Sequence, residues 1–153
     1  MTAETRHRGV ALLALVGLFV SVYLWLYHLG YYGMILCGTG SCELVQSSKY
    51  ADFLGVPVPA WGAGWYLAMT VLGLMLASGH SETSGPGKLA AIFATGGLAF
   101  SIYLTAVELF ILHAICRWCV VSAALTVGIF LLVAPWRLLR RGAPEAFEGA
   151  PVE

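Results

Sequence analysis

The residues of this sequence best suited to chemistry are four cysteines, which fall into two closely spaced pairs. Cys37 and Cys42 enclose a glycine-rich segment, and Cys116 and Cys119 form a C-x-x-C motif. Two residues three positions apart on a helix share one face, close enough for a disulfide. A helix N-terminus and the neighbouring Arg117 would both favour the thiolate form. The second pair is therefore predicted to be reactive.

Two other interpretations of the cysteines stay open on the residues alone. Both pairs could form structural disulfides that brace loops, or the four thiolates could bind zinc. Against zinc, each pair supplies only half of a four-ligand site, and no histidine stands beside it at ligand spacing. The favoured interpretation is a redox relay, and no metal site is predicted.

The chain that carries these cysteines has the composition of a membrane protein. Of its 153 residues, 59% are hydrophobic and 10% are charged, whereas soluble domains contain about 25% charged residues. Eight acidic and eight basic residues cannot cover a soluble surface of this size. A soluble enzyme, a disordered chain and an electrostatic binder of nucleic acid are therefore excluded, and membrane lipid is the expected surrounding.

Four apolar runs approach or exceed the ~20 residues that a membrane-spanning helix needs. We predict an all-α bundle of four transmembrane helices, with spans at 9–31, 57–78, 89–114 and 116–139 and an outer redox loop at 33–56. Residues 1–139 would form one domain, and 140–153 a disordered cytoplasmic tail. The first run is predicted to be an uncleaved span, because its bulky end lacks a small-x-small cleavage site.

The basic residues predict which side of the membrane the cysteines occupy. Four spans put both termini on one side, and six of the eight basic residues fall there: Arg6, Arg8, Lys88, Arg137, Arg140 and Arg141. The positive-inside rule assigns that side to the cytoplasm. Both cysteine pairs follow odd-numbered spans. They are therefore predicted on the outer, periplasmic and oxidising side of an inner or plasma membrane.

The cysteine pairs and their surroundings resemble the vitamin K epoxide reductase family in its bacterial stand-alone form. The shared features are both pairs, the ELVQSSKYA run at 43–51, the LGVP run at 54–57 and the four-span topology, over roughly residues 9–135. The resemblance implies a helix bundle that encloses a quinone of the ubiquinone, menaquinone or vitamin K type. Many bacterial members are fused to a thioredoxin-like domain. This chain has no room for one, so a separate thioredoxin-like disulfide oxidase is the expected partner.

The resemblance also implies roles for individual residues. Cys116 and Cys119 would form the disulfide beside the quinone, with Cys119 nearest to it, and Cys37 and Cys42 would carry electrons to them. Ser48, six residues after Cys42, matches the loop serine of the family. It is expected to bind a loop carbonyl or the quinone.

Four further residues are candidates for contact with the quinone. Trp61, Trp65 and Tyr66 could wall its site, although aromatic residues also gather at membrane interfaces. Glu108 is the only acidic residue deep in a predicted span. Intramembrane carboxylates usually face the protein interior, so Glu108 could carry a proton to the reduced quinone.

The predicted function is that of a membrane thiol:quinone oxidoreductase that reoxidises its partner for disulfide-bond formation. One alternative is reduction of a vitamin K (naphthoquinone) epoxide. In the animal enzymes, an Asn early in span two and a Tyr four residues after the last cysteine bind the quinone. Val58 and Ala123 stand at these positions here. The other alternative is a non-catalytic four-span protein braced by two structural disulfides.

Overall fold

The described part of the chain is mostly helical. The computed structural model describes residues 2–31, 33–34, 37–38 and 40–133. Its helices are α1 (Ala3–His28), α2 (Cys42–Gln46), α3 (Val58–Ala77), α4 (Gly85–Ala106) and α5 (Arg117–Val133). A π-helical turn, Val107–Leu112, continues α4, and two short strands, β1 (Asp52–Phe53) and β2 (Val56–Pro57), precede α3.

Three helical segments of the described chain are long and apolar enough to cross a membrane. They are Ala3–His28, Val58–Ala77 and Gly85–Leu112. They correspond to the first three predicted spans. The fourth predicted span, 116–139, is described over the 17-residue apolar helix α5, and its remainder lies outside the described residues, as does the predicted tail at 140–153.

Local chemistry explains where the long helices begin and end. The Thr2 side chain accepts a hydrogen bond from the Thr5 N–H at the start of α1, and Gly30 leaves the helical conformation at φ +82° just after its end. Pro57 and Ser84 precede α3 and α4, each of which has a proline in its first turn, where no N–H partner is needed. Helices α1 and α4 begin before the apolar runs that predicted them, because backbone hydrogen bonding does not depend on hydropathy.

The long helices pack into a bundle that is apolar inside and outside. Helix α1 packs against α3 and α5, and α4 packs against α5 and α3. The central core consists of Val10, Ala14, Tyr66, Met69, Ala94 and Ile129. Exposed positions are also apolar, among them Leu12, Phe19, Leu67, Leu74, Ile92 and Phe110. Helices that are hydrophobic on all faces are typical of a lipid environment.

The sequence of α3 contains two small-x-x-x-small pairs, Ala60 with Gly64 and Gly73 with Ala77, which predict close helix packing. The pair with Gly73 allows α1 and α3 to approach closely. A Cβ atom on Gly73 would lie 2.9 Å from the Ala11 backbone nitrogen, so no larger residue fits there. Gly64, in the other small-x-x-x-small pair, has no atom within 4 Å of its ideal Cβ position apart from its chain neighbours and the backbone of its own helix. Of these two pairs, only the one with Gly73 therefore forms a close helix-packing contact in the described chain.

The outer loop contains structure that the all-α expectation missed. Strands β1 and β2 pair antiparallel, with Asp52 opposite Pro57 and Phe53 opposite Val56. The two residues between them, Leu54 and Gly55, both have positive φ angles, as a tight hairpin turn requires. A two-residue ladder leaves no alternating pattern in a sequence, so this ribbon was not predicted, while the described chain is mostly helical as the all-α class requires.

The two ends of the bundle carry different polar groups. At the end away from the cysteines, Glu82 in the α3–α4 connection pairs with Arg6 and lies 3.3 Å from His7 Nε2. At the cysteine end, His28 Nε2 lies 3.4 Å from Asp52 Oδ1, which ties α1 to the ribbon. Each connection is therefore held to the N-terminal helix by an ionisable pair.

Candidate redox site

The fold brings all four cysteines together at one end of the bundle. Cys42 and Cys116 are fully buried in one cluster with Val45 and Ala114, and Cys37 and Cys119 pack against it. Cys37 and Cys42 form a disulfide with a Cα–Cα distance of 6.0 Å, while Cys116 and Cys119 are free thiols. Residues far apart in sequence thus form one continuous sulfur site.

The Cys37–Cys42 loop lies directly against the residues that precede α5, and Gly40 permits this close approach. The Ser41 N–H donates to the Ile115 carbonyl at 3.0 Å. Gly40 has a φ of +138°, and a Cβ there would lie 3.1 Å from the Ile115 carbonyl oxygen and 3.3 Å from the Cys37 sulfur. A side chain at position 40 would therefore push the loop away from the second cysteine pair.

The C-x-x-C motif begins α5, as the sequence predicts. Cys116 is the residue before the helix, and its sulfur accepts the Cys119 N–H at 3.4 Å, while its carbonyl accepts the Val120 N–H at 3.0 Å. This is the position at which polar side chains cap helices. The hydrogen bond from the Cys119 thiol holds the pKa of Cys116, which lies outside the helices, below its ordinary value.

The π-helical turn places Glu108 beneath these thiols. Its Oε2 accepts the backbone N–H of Cys116 at 3.0 Å, and its carboxyl group also hydrogen bonds to the Cys119 thiol. The side chain is buried, and His113 ends the turn in a left-handed conformation at φ +48°. π-helical turns are frequent at functional sites. The turn Val107–Leu112 directs the carboxyl group of Glu108, a candidate site residue from the sequence, toward both cysteines of the motif.

Gln46 belongs to the site although the sequence analysis did not single it out. It ends α2, is 7% exposed, and its Nε2 lies 3.9 Å from the Cys119 sulfur. Its Oε1 is buried without a hydrogen-bond partner among the described residues. Its position four residues after Cys42 was the available signal, since residues i and i+4 share a helix face.

A cavity of about 290 Å³ extends from Cys119 into the bundle, near the lower end of the ~300–1,000 Å³ typical of small-molecule sites. Its walls are mainly apolar, and its polar groups at the sulfur end are Cys119, Glu108 and Gln46. The aromatic residues that line it are Phe53, Trp61, Trp65, Tyr66 and Phe100. Val58 and Ala123 also face it with apolar groups. A flat, largely apolar molecule with a few polar atoms fits such a lining.

The candidate aromatic residues line this cavity with their polar atoms already bonded. Trp61 and Trp65 donate their ring N–H groups to the Phe53 and Phe93 carbonyls at 3.2 and 2.9 Å. The Tyr66 hydroxyl lies 2.8 Å from the Ser122 carbonyl oxygen and 3.1 Å from the Thr126 hydroxyl. These side chains therefore offer ring surfaces to a ligand. At the sulfur end, Gln46 Oε1 is a buried polar atom without a hydrogen-bond partner among the described residues.

Ser48 occupies a different position from the other candidates. Its hydroxyl donates to the Val45 carbonyl at 2.8 Å, which stabilises the end of α2. Among the described residues that line the cavity, Ser48 does not appear. The loop-carbonyl contact expected of it is present, and its contact with a quinone stays a prediction.

The described residues contain no group of three or more His, Cys, Asp or Glu side chains placed to hold a metal ion. The polar end of the cavity instead combines the Cys119 thiol, a carboxyl group and an amide, and the Cys116 thiol lies next to Cys119. Thiols carry out disulfide exchange through their thiolates, and a buried carboxyl group beside them can accept or return a proton. The arrangement therefore suits thiol redox chemistry.

Comparison with known proteins agrees with this geometry. The family profile described as the Vitamin K epoxide reductase family matches residues 9–134, which include both cysteine pairs and Glu108. Thiol-disulfide oxidoreductase LTO1 of Arabidopsis thaliana is 31% identical over 100 residues, or 62% of this chain. The match spans about a quarter of that relative, 27% of its length. Since the family match runs from α1 to the end of the described chain and contains the whole sulfur site, this protein belongs to the vitamin K epoxide reductase family.

Proposed function

We propose that this protein is a membrane thiol:quinone oxidoreductase that reoxidises a thioredoxin-like partner for disulfide-bond formation. The observation that carries the proposal is the shared cluster of Cys42 and Cys116, with Cys119 packed against it and lining the cavity. These contacts outline a route from the loop disulfide to the cavity. The name of the Arabidopsis relative, a thiol-disulfide oxidoreductase, supports the thiol half of the activity.

The burial of the loop cysteines determines where the partner reacts. Cys42 is completely buried, whereas Cys37 is partly exposed. A thiolate on the partner therefore attacks the Cys37 sulfur, the Cys37–Cys42 bond breaks, and Cys42 leaves as a thiolate. A second partner thiolate then attacks the partner sulfur bonded to Cys37, which releases an oxidised partner and a free Cys37 thiol.

The next exchange moves the disulfide inward. The Cys42 thiolate attacks the Cys116 sulfur of a Cys116–Cys119 disulfide, the Cys42–Cys116 bond forms, and Cys119 leaves as a thiolate. Cys37 then attacks Cys42 and restores the loop disulfide, which leaves Cys116 and Cys119 as a dithiol. The structure has the same combination, a Cys37–Cys42 disulfide and free thiols at Cys116 and Cys119. It therefore corresponds to the form of the protein that has been reduced by two electrons.

The residues at the cavity mouth suit the transfer of those electrons. A bound quinone supplies an acceptor for two electrons and two protons. Cys119 presents its sulfur to the cavity, and Glu108 can take the proton of its thiol. The aromatic walls exclude water and hold a planar ring. Because Val58 and Ala123 offer no polar group at the positions that bind the quinone in animal enzymes, we propose reduction of a quinone and not of an epoxide.

The proposal includes an orientation in an inner or plasma membrane. Both termini would be cytoplasmic, and the cysteine end would face the outer, oxidising side where the partner resides. Two observations support it: the cysteines share one end of the bundle, and the Arg6–Glu82 pair lies at the other. Modification of cysteines by a membrane-impermeant thiol reagent in intact cells tests this orientation.

The activity is tested with purified protein, a reduced thioredoxin-like donor and either ubiquinone or menaquinone, with quinone absorbance as the readout. Cys119→Ala is expected to abolish quinone reduction and to accumulate a Cys42–Cys116 disulfide, because the Cys116 thiolate can still attack the loop disulfide. Peptide mapping without reductant detects that bond. Wild-type turnover by Cys119→Ala would contradict the proposal.

The structural alternative gives a different result in the same preparation. If the disulfides only brace the outer face, Cys37–Cys42 and Cys116–Cys119 should resist mild reductant in the presence and absence of quinone. The proposed relay instead predicts that donor and quinone shift the ratio of thiol to disulfide in opposite directions. Alkylation followed by mass spectrometry measures this ratio.

A further inference from the structure

We propose that Gln46 is a positioning residue that directs thiol exchange to Cys116 by holding the Cys119 sulfur as the leaving group. The inference rests on the proposed function, since it concerns the exchange between the two cysteine pairs. It assigns a role to a residue outside the four cysteines and outside the candidate quinone contacts.

The spacing of two short motifs carries the inference. Cys42 and Gln46 are the first and last residues of α2, four positions apart, and therefore lie on one face of that helix. Cys116 and Cys119 stand three positions apart at the start of α5. The first residues of the two pairs share a buried cluster, and the last residues meet at 3.9 Å between Gln46 Nε2 and Cys119 Sγ. The first and last residues of α2 thus each lie near one sulfur of the motif.

The side-chain amide of Gln46 is buried in a position that is costly for stability. The side chain is 7% exposed, and its Oε1 has no hydrogen-bond partner among the described residues. Burial of an amide without full hydrogen bonding is unfavourable. An amide that bears this cost beside a reactive sulfur is well placed to supply a donor to a developing thiolate.

The amide also balances the other groups that face Cys119. The Glu108 carboxyl group and the Cys116 sulfur both lie against the same thiol, and a negative charge on either disfavours a thiolate at Cys119. Throughout the exchange, the Cys116 sulfur is bonded either to Cys119 or to Cys42 and carries no charge. The Gln46 N–H then remains as a donor for the departing sulfur.

The exchange step is balanced without any external reagent. The Cys42 thiolate forms a bond to Cys116, the Cys116–Cys119 bond breaks, and its electron pair leaves on Cys119. One thiolate and one disulfide exist before and after the step. Donation by Gln46 to the product thiolate shifts this equilibrium toward the Cys42–Cys116 disulfide and makes Cys116 the preferred point of attack.

The test uses full-length protein with Cys37→Ala, which removes the thiol that resolves the Cys42–Cys116 bond. The protein is oxidised by quinone, free thiols are alkylated, and disulfide-linked peptides are quantified. Trypsin cleaves after Arg117, between the two cysteines of the motif, so peptide masses distinguish Cys42–Cys116 from Cys42–Cys119. With Gln46 present, we expect the Cys42–Cys116 bond and an alkylated Cys119.

Gln46→Leu removes the donor, and Gln46→Glu keeps the shape but replaces the donor with a carboxyl group. In both we expect the equilibrium ratio of the Cys42–Cys116 bond to the Cys116–Cys119 bond to fall roughly fivefold, which corresponds to a hydrogen bond of ~1 kcal/mol. We also expect some Cys42–Cys119 bond to appear. The matched control is Glu43→Gln, an exposed position on the same helix, which should leave both the ratio and the site of attack unchanged.

A second measurement separates this role from a general loss of structure. In a Cys116→Ala background, the thiolate of a reduced partner that has one cysteine attacks the Cys37–Cys42 disulfide, forms a bond to Cys37 and releases Cys42 as a thiolate. This trapped complex should form equally well with Gln46, Leu or Glu at position 46. Unchanged bond ratios in both Gln46 variants would overturn the inference and leave the relay intact. Absence of any Cys42–Cys116 bond with Gln46 present would overturn the proposed function and the inference together.

Discussion

The two ends of the bundle each hold a glutamate against a helix terminus, but the partners of these glutamates differ. Glu82 pairs with the guanidinium of Arg6 and lies 3.3 Å from His7. Glu108 accepts the Cys116 N–H and bonds to the Cys119 thiol, beside a cavity. The first carboxylate faces a permanent cation, and the second faces a group that gains and loses a proton.

This difference shows how the same side chain can serve structure or chemistry. A carboxylate that is paired with arginine is held in its charged form and ties two segments together. A carboxyl group beside a thiol in an apolar cavity can exchange a proton with it. The two glutamates of this fold therefore differ both in burial and in partner: Glu82 is partly exposed beside Arg6, and Glu108 is buried beside a thiol.

The largest expected effect separates the two glutamates. Glu108→Gln keeps the acceptor for the Cys116 N–H but removes the proton acceptor for Cys119. We expect quinone reduction to fall by about 10²-fold, the lower range for loss of an acid–base group. Steady-state quinone absorbance measures the rate, and trapping of reduced partner on Cys37 should be unaffected.

Glu82→Gln is the matched control at the opposite end. It should leave turnover unchanged and lower the free energy of unfolding by about 0–1 kcal/mol, as expected for a partly exposed ion pair. Equal losses of turnover in both variants would mean that Glu108 acts through stability, and the contrast between the two ends would be wrong.

An intermediate effect is expected from Gly73→Ala, in the half of the bundle away from the cysteines, and it should appear in the free energy of unfolding of the protein. A methyl group in Gly73→Ala would lie 2.9 Å from the Ala11 backbone nitrogen, which cannot move without displacing α1. We expect a loss of about 1–3 kcal/mol, typical of overpacking. Thermal unfolding in detergent measures it, and quinone reduction per folded molecule should stay unchanged.

Gly64→Ala provides the comparison on the same helix. Its added methyl group contacts no atom within 4 Å beyond its chain neighbours and the backbone of its own helix, so no loss of stability is expected. Equal destabilisation by the two substitutions would show that the loss in Gly73→Ala does not come from a contact with α1. The close approach of α1 and α3 would then lose its support.

The smallest effect is expected at the cysteine end, from the pair between His28 and Asp52. Both side chains are partly exposed, and exposed pairs contribute about 0–1 kcal/mol. Asp52→Asn should therefore lower the free energy of unfolding slightly, and added salt should reduce the difference by screening. A loss as large as that in Gly73→Ala would show that the ribbon contributes to the stability of the whole bundle.

The sequence predicted the long helices best where a local signal marks their ends. The second predicted span, 57–78, differs by one residue at each end from Val58–Ala77, because a proline begins it and a polar segment ends it. The first predicted span began at 9, whereas α1 begins at Ala3. Charged residues continue a helix as well as apolar ones do, so hydropathy could not locate that end.

The candidate site was partly predictable for a related reason. The order of spans and cysteines predicted that both pairs meet at one end, and the resemblance pointed to Ser48 and to roles for the cysteines. The π-helical turn Val107–Leu112 and the hairpin at Leu54 left no pattern in the sequence. Both depend on how neighbouring segments pack, and local propensities do not encode that packing.

By itself, the sequence determined that the chain is built for a membrane and that its cysteines form two pairs with different local settings. These properties follow from composition and spacing, which are local and additive. The tertiary structure alone decided that Glu108 lies beneath Cys116 and that Gln46 reaches Cys119, 73 residues away. Such contacts depend on the rotation and depth of packed helices, where one extra residue in a turn redirects a side chain.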